Sequence, residues 1–150
     1  MRAIVQRVSS ASVTVDETIV GKIDLGYLIL LGVEQADTDE DLDWLVNKIL
    51  ALRIFSDEEG KMNKDIRDVE GNVLVVSQFT LHAKYKKGNR PSFIRAAEPS
   101  YAAEQYTAFC DLISERLGRT AETGVFGAHM DVHLVNDGPV TMIMDTKNKE

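Results

Sequence analysis

The sequence predicts a single α+β domain in which a mixed or antiparallel β-sheet carries two main helices. Three observations predict it: short segments rich in β-branched residues occupy both ends of the chain, two stretches show helical periodicity, and no repeat or linker separates them. The 150 residues, 44% hydrophobic and 27% charged, have the size of one domain and enough apolar content for a core without disulfides or structural metal.

The segments 3–8, 12–15, 19–23 and 27–33 read as antiparallel strands, with turns at Asp16-Glu17 and at 24–26. A helix follows, because Leu42, Leu45, Val46, Ile49 and Leu52 fall on one stripe at helical spacing. Thr38 is its N-cap, and Asp39, Glu40 and Asp41 lie at the positive end of its dipole. Trp44 lies off the stripe. Residues 73–76 form a short, fully apolar strand that runs into SQFTL. A second helix spans Pro99–Leu117, with Ala102, Tyr106, Phe109, Cys110, Ile113 and Leu117 on one face, Pro99 at its start and Gly118 at its end. Residues 131–135 and 140–144 read as two strands joined by a turn at Asn136-Asp137-Gly138-Pro139.

Composition narrows the function. No run approaches the roughly 18 apolar residues of a membrane span, and the opening alternates polar and apolar residues, so a cytoplasmic protein is expected, without membrane partners. The lone Cys110, inside the apolar run AFCDLI, is a buried thiol and excludes internal disulfide chemistry. A net charge of −7 argues against nonspecific coating of DNA or of anionic lipid. One stretch runs against that balance: KYKKGNRPSFIR holds Lys84, Lys86, Lys87, Arg90 and Arg95 with no acid. Tyr85 and Phe93 add rings among these cations, a mixture suited to phosphates and stacked bases.

Metal and nucleotide cofactors find no support. His129 and His133 have the i, i+4 spacing of helical zinc ligands, but Met130, Val132 and Leu134 alternate with them at strand period. On a strand that spacing spans about 13 Å, too far for one zinc. No glycine pattern matches a dinucleotide fingerprint or a P-loop, and no G-x-S-x-G elbow supports a serine triad. Two segments are odd for their surroundings. In Ser77-Gln78-Phe79-Thr80 an apolar strand ends in three hydrogen-bonding side chains around one ring, as an ester carbonyl or a ribose would need. The other, Asn136-Asp137-Gly138-Pro139-Val140-Thr141, is an ordinary turn on composition alone.

Together these segments carry a resemblance. SQFTL at 77–81, KKGNRPSF at 86–93, GVFGAHM at 124–130 and NDGPVT at 136–141, after the opening MRAIVQRVSSASV, closely resemble the D-aminoacyl-tRNA deacylase family, with order and spacing intact from end to end. The resemblance implies a barrel-like sheet across a single domain, residues 1–150, and an enzyme without a cofactor. Its substrate would be the ester joining a D-amino acid, or glycine mischarged on tRNA(Ala), to the terminal adenosine of tRNA, with L-aminoacyl-tRNA spared. It further implies a homodimer that proofreads translation, with both active sites at the subunit interface. By the same resemblance the catalytic set is Ser77, Gln78, Phe79 through its backbone, and Thr80. Phe126 and Met130 would lie beside the adenosine and the aminoacyl group, and Gly138-Pro139 would be a cis element reaching the partner's pocket to screen chirality. Lys86, Lys87 and Arg90 would dock tRNA. The chain departs from many relatives in carrying Lys84 where they have an acid.

No histidine or carboxylate falls within SQFT and only Asp137 falls within NDGP, so the general base need not belong to the protein, and the resemblance implies that the neighbouring 2′-hydroxyl of the terminal ribose assists. Two alternatives stay open. Thr80 is a candidate nucleophile, and the chain as a whole fits a module that binds tRNA ends without chemistry.

Overall fold

A computed structural model describes residues Met1–Glu150. The chain folds in the order β1 (Arg2–Val15), β2 (Thr18–Ile23), β3 (Gly26–Gly32), α1 (Asp39–Ala51), β4 (Phe55–Ser56), β5 (Met62–Lys64), β6 (Asn72–Ser77), a 3₁₀ turn (Phe79–His82), α2 (Pro99–Leu117), β7 (Glu122–Thr123) and β8 (Asp131–Asp145). The six-stranded sheet has the order β2-β1-β3-β6-β7, with β8 on β1. It is mixed: β1 pairs antiparallel with β2, β3 and β8, whereas β3–β6 and β6–β7 are parallel. It curls nearly shut, bringing Gly21 of β2 against the Thr123 carbonyl of β7.

Both faces of the sheet are covered. Tyr27, Ile29, Leu31, Val73 and Val75 point toward α1 and α2 and join a core of 23 buried residues; Leu28, Leu74 and Val76 point into the barrel with Val8, Ala11, Val13 and Ile23. This is why β6 reads as an unbroken apolar run instead of alternating. Tyr27 is fully buried, stacks on Phe55 with ring centroids 5.2 Å apart, and donates its hydroxyl to the Leu52 carbonyl at 3.1 Å.

The sequence signals at Thr38 and Gly118 mark the start of α1 and the end of α2, whereas α1 stops at Ala51, so that Leu52 of the expected stripe is already extended. The Asp41 carboxylate accepts the Thr38 backbone N–H at 2.9 Å and its hydroxyl at 3.1 Å, fixing the first turn of α1. Gly118 closes α2 in the left-handed region. Trp44, off the buried stripe, packs against the edge of the core and carries the Lys149 ammonium 4.7 Å above its ring. No helix is long and apolar enough to cross a membrane.

Two sequence expectations require correction. Residues 3–8 and 12–15 belong to one strand, β1, whose pairing with β8 shifts register near Val8 without breaking it. Residues 131–135 and 140–144 do not form a hairpin, because both pair with β1 as parts of β8. Asn136 pairs with Val8 and Thr141 with Gln6, so residues 137–140 swell outward opposite the single residue Arg7. Turn-forming residues here build a bulge, which uses the same backbone freedom as a hairpin.

Phe109 is fully buried where α2 meets the sheet. Phe109→Ala is expected to cost about 3–5 kcal/mol in urea denaturation, and an unchanged midpoint would remove it from the core.

Candidate active site

The parallel strands β3 and β6 run out together, with Leu31 registered against Ser77. At that edge the Gln78 N–H donates to the Leu31 carbonyl at 2.7 Å, and the chain then leaves the sheet through the 3₁₀ turn. A short strand packed on both faces thus delivers Ser77, Gln78, Phe79 and Thr80 to the rim of a cleft of about 600 Å³. Within the turn, Gln78 Nε2 donates to Thr80 Oγ1. Ser77, Gln78 and Phe79 line the cleft; Thr80 lies just behind them and does not.

Thirteen of the cleft's 18 lining residues are hydrophobic, so it favours a flat or apolar group over a hydrated one. Its floor is aromatic. Tyr106 of α2 donates its hydroxyl to the Val75 carbonyl at 2.7 Å, and its ring stands 5.8 Å from that of Phe126. Burial pushes the Tyr106 phenol well above its usual range, leaving it a fixed donor. Phe79 and Phe93 meet edge to face at 5.0 Å across one wall. Met130, Val132 and the exposed His129 complete the other side. Phe126 and Met130 therefore share the cleft with the Ser77–Phe79 segment.

Gly138 and Pro139 do not line this cleft. Their peptide bond is cis, and both residues are exposed on the β8 bulge. Beneath them lies Arg7, a nearly buried cation on the inward face of β1. Its Nε contacts the Asp137 carboxylate at 2.9 Å and its carbonyl at 3.3 Å, while Nη1 donates to the Ile54 carbonyl at 2.6 Å. Asn136 Nδ2 donates to the carbonyls of Arg7 and Val140, each at 3.0 Å. Gly138 has φ +118°, and a Cβ there would fall 2.9 Å from Arg7 Nη2. The bulge is therefore braced from below at several points.

The basic run forms a loop tied at Lys84–Ser92, where the two backbones exchange hydrogen bonds of 2.7 and 2.9 Å. Lys86, Lys87 and Arg90 are exposed and make no ion pair. Arg95 differs, because Glu34 pairs with it and removes its charge from the free set. That pair, with the Ala97 N–H donating to the Val33 carbonyl at 3.0 Å, fixes the wall from Phe93 to Ala97.

Three contributors escaped the sequence reading. Arg7 carried a usable signal, a charge at an inward position of an otherwise apolar strand face. Tyr106 lay on the helix stripe, where nothing separates a cleft-facing ring from a core ring. His129, weighed only as a metal ligand, sits at the cleft's mouth.

The chain is similar to known proteins in sequence and in fold. The sequence pattern of the family described as D-Tyr-tRNA(Tyr) deacylase matches residues 4–145. D-aminoacyl-tRNA deacylases of Flavobacterium johnsoniae and Phocaeicola vulgatus are 54% and 57% identical over 150 residues, covering all of both chains. The one from Opitutus terrae is 57% identical over the same span. Among solved structures, one described as c-Myc DNA Unwinding Element Binding Protein superposes with a TM-score of 0.90 at 42% identity, over 97% of this chain and 98% of that one. A probable eukaryotic D-amino acid tRNA deacylase shares the fold, at a TM-score of 0.82 and 19% identity over 95% and 97% of the two chains. Over its whole length, then, this chain belongs to the D-aminoacyl-tRNA deacylase family.

Proposed function

We propose that this protein hydrolyses the ester of D-aminoacyl-tRNA, releasing the free D-amino acid and tRNA and sparing the L-ester. The observation that supports this reading best is the junction of a polar turn with an aromatic-floored cleft beside an unpaired basic loop. A tRNA acceptor end is a polyanion that finishes in an unstacked base, so it needs cations at one end and apolar surface at the other. The activity belongs to translation quality control in the cytoplasm, where charged tRNA is used, and glycine esterified to tRNA(Ala) falls within its substrate class.

Chemically, the ester needs a held carbonyl, donors for the developing oxyanion and an attacking water. Phe79 and Thr80 open the 3₁₀ turn, where the first N–H groups lack acceptors inside the turn, and their N–H groups are the proposed oxyanion donors. Ser77 and Gln78 orient the ester, and Phe126 and Met130 receive the adenosine and aminoacyl groups. The Thr80 hydroxyl, engaged by Gln78, shapes the turn, and the neighbouring 2′-hydroxyl of the terminal ribose assists the water.

The working form in this proposal is a homodimer. Ile143 is 80% and Val135 57% exposed on the outer face of β8, and Ile4 of β1 is registered beside Ile143. Such a two-stranded apolar face is suited to a second copy. The exposed Gly138-Pro139 bulge would then enter the partner's cleft, where a braced main-chain element is positioned to screen the α-carbon.

Three experiments test this. At equal catalytic enzyme, D-tyrosyl-tRNA should be hydrolysed while L-tyrosyl-tRNA decays at its spontaneous rate; equal rates on both would end the proposal. Thr80→Ala should retain measurable activity, whereas a substrate ending in 2′-deoxyadenosine should be nearly inert. The opposite ranking would make threonine the nucleophile. Reversing the charges of Lys86, Lys87 and Arg90 should raise KM and flatten its salt dependence with kcat little changed, since these contacts are equal in ground and transition states. An unaltered KM would return the loop to a merely solvated role.

A further inference from the structure

Beneath the turn that carries Gln78, Phe79 and Thr80 lies an imidazole that the chemistry above does not use. His82, the last residue of the turn, is 1% exposed, and neither of its ring nitrogens makes a hydrogen bond of good geometry. A buried polar group without partners carries a penalty that leucine in the same space would avoid. The ring sits against β3 at Gly32, where a Cβ would fall 3.1 Å from His82 Cδ2, 3.1 Å from Leu81 Cβ and 3.0 Å from the Gln78 carbonyl. Glycine at 32 thus lets the whole turn settle onto the strand, and the His82 ring fills the space left over. Arg2 Nη1 donates to the Leu81 carbonyl at 2.9 Å, and Arg2 Nε is held by Asp145 at 2.7 Å.

We propose that His82 is a positioning residue for ester hydrolysis: its neutral ring, wedged between the 3₁₀ turn and Gly32, sets the height of the Phe79–Thr80 backbone at the cleft. The inference rests on the reading that this turn is the active site. The charged groups that face the ring are Arg2, the Met1 amine just before β1 and Glu34 just beyond β3, and each is already paired, with Asp145, Asp37 and Arg95 in turn. Burial holds the ring below the ordinary histidine range, with the Gly32 backbone and Glu34 pulling the other way. A proton arriving there would place an unpaired cation in a desolvated gap, and the ring would have to leave its seat. Positioning would be lost with it.

The linkage follows from the direction of the shift. The unfolded chain takes up this proton near the ordinary value of about 6.5, before the folded chain does, so stability contributed at this site falls as pH drops through that value and stops falling below the folded value.

The test measures kcat and KM on D-tyrosyl-tRNA between about pH 5 and 8 for wild type, His82→Leu and His82→Ala, with the His82 ring of the wild type followed by NMR. The wild type should lose kcat on the acid side at constant KM, with the midpoint of that loss matching the titration of the His82 ring. His82→Leu should keep kcat near neutrality within about threefold and lose that acid limb, so that the ratio of wild type to variant falls about tenfold per pH unit below the midpoint. His82→Ala, which leaves a gap, should lower kcat about 10–100-fold with KM nearly unchanged. Parallel profiles for wild type and His82→Leu, an undiminished kcat in His82→Ala, or a ring titration that does not coincide with the acid limb would each overturn the proposal. The NMR comparison decides even if a variant does not fold. Gln78→Ala, assayed alongside, tests the site reading separately: unchanged D-specific turnover there would overturn the site whatever His82 does.

Discussion

The cleft depends on the parallel pairing of β3 with β6. Two short strands, buried on both faces, can only be apolar, and their ladder ends where Leu31 meets Ser77. Beyond that point the backbone must find new partners. The Leu31 carbonyl takes the Gln78 N–H, and the turn that follows is the first place where polar side chains are affordable. Polar groups gather there for the reason that ligands gather at strand ends in open α/β sheets: the core stops and the scaffold does not.

Around that edge each wall is fixed by a different kind of force. The floor is held by the Tyr106 hydroxyl bonded into β6, the outer wall by the Glu34–Arg95 ion pair, and the aromatic side by an edge-to-face ring contact. These segments are far apart in sequence, so the cleft belongs to the tertiary structure and to no single motif. The basic loop and the braced Gly138 bulge are built in the opposite manner. Each is closed locally, by Lys84–Ser92 pairing in one case and by Arg7 with Asn136 in the other, and each projects away from the core.

Much of this was legible beforehand, for identifiable reasons. The stripes on α1 and α2, the caps at Thr38 and Gly118 and the apolar run of β6 are local consequences of periodicity and backbone geometry, and the chain displays them directly. That Ser77, Gln78, Phe126 and Met130 share one cleft was suggested only by family likeness, since composition alone makes them a strand end and core residues. What stayed hidden was non-local. Whether 131–145 folds back on itself or lies along β1 depends on a partner more than 100 residues away, and Asn-Asp-Gly-Pro serves either outcome. Arg95 looked like one cation among five until Glu34, 61 residues distant, claimed it.

The union of β1 with β8 also governs how the protein comes into being. Arg2 pairs with Asp145, and the ladder runs from there along nearly the whole of β1. During synthesis β1 can close one edge with β2 and β3 early, but the other edge, which includes Ile4 and Val8, must wait for the final strand. Pairing two strands more than 100 residues apart slows folding and leaves an unpaired apolar edge open in the interval. The emerging chain is therefore most exposed to association with other nascent chains just before β8 is free to pair, and Val132 within β8 and Met130 immediately before it make an assembled cleft evidence that this pairing is complete.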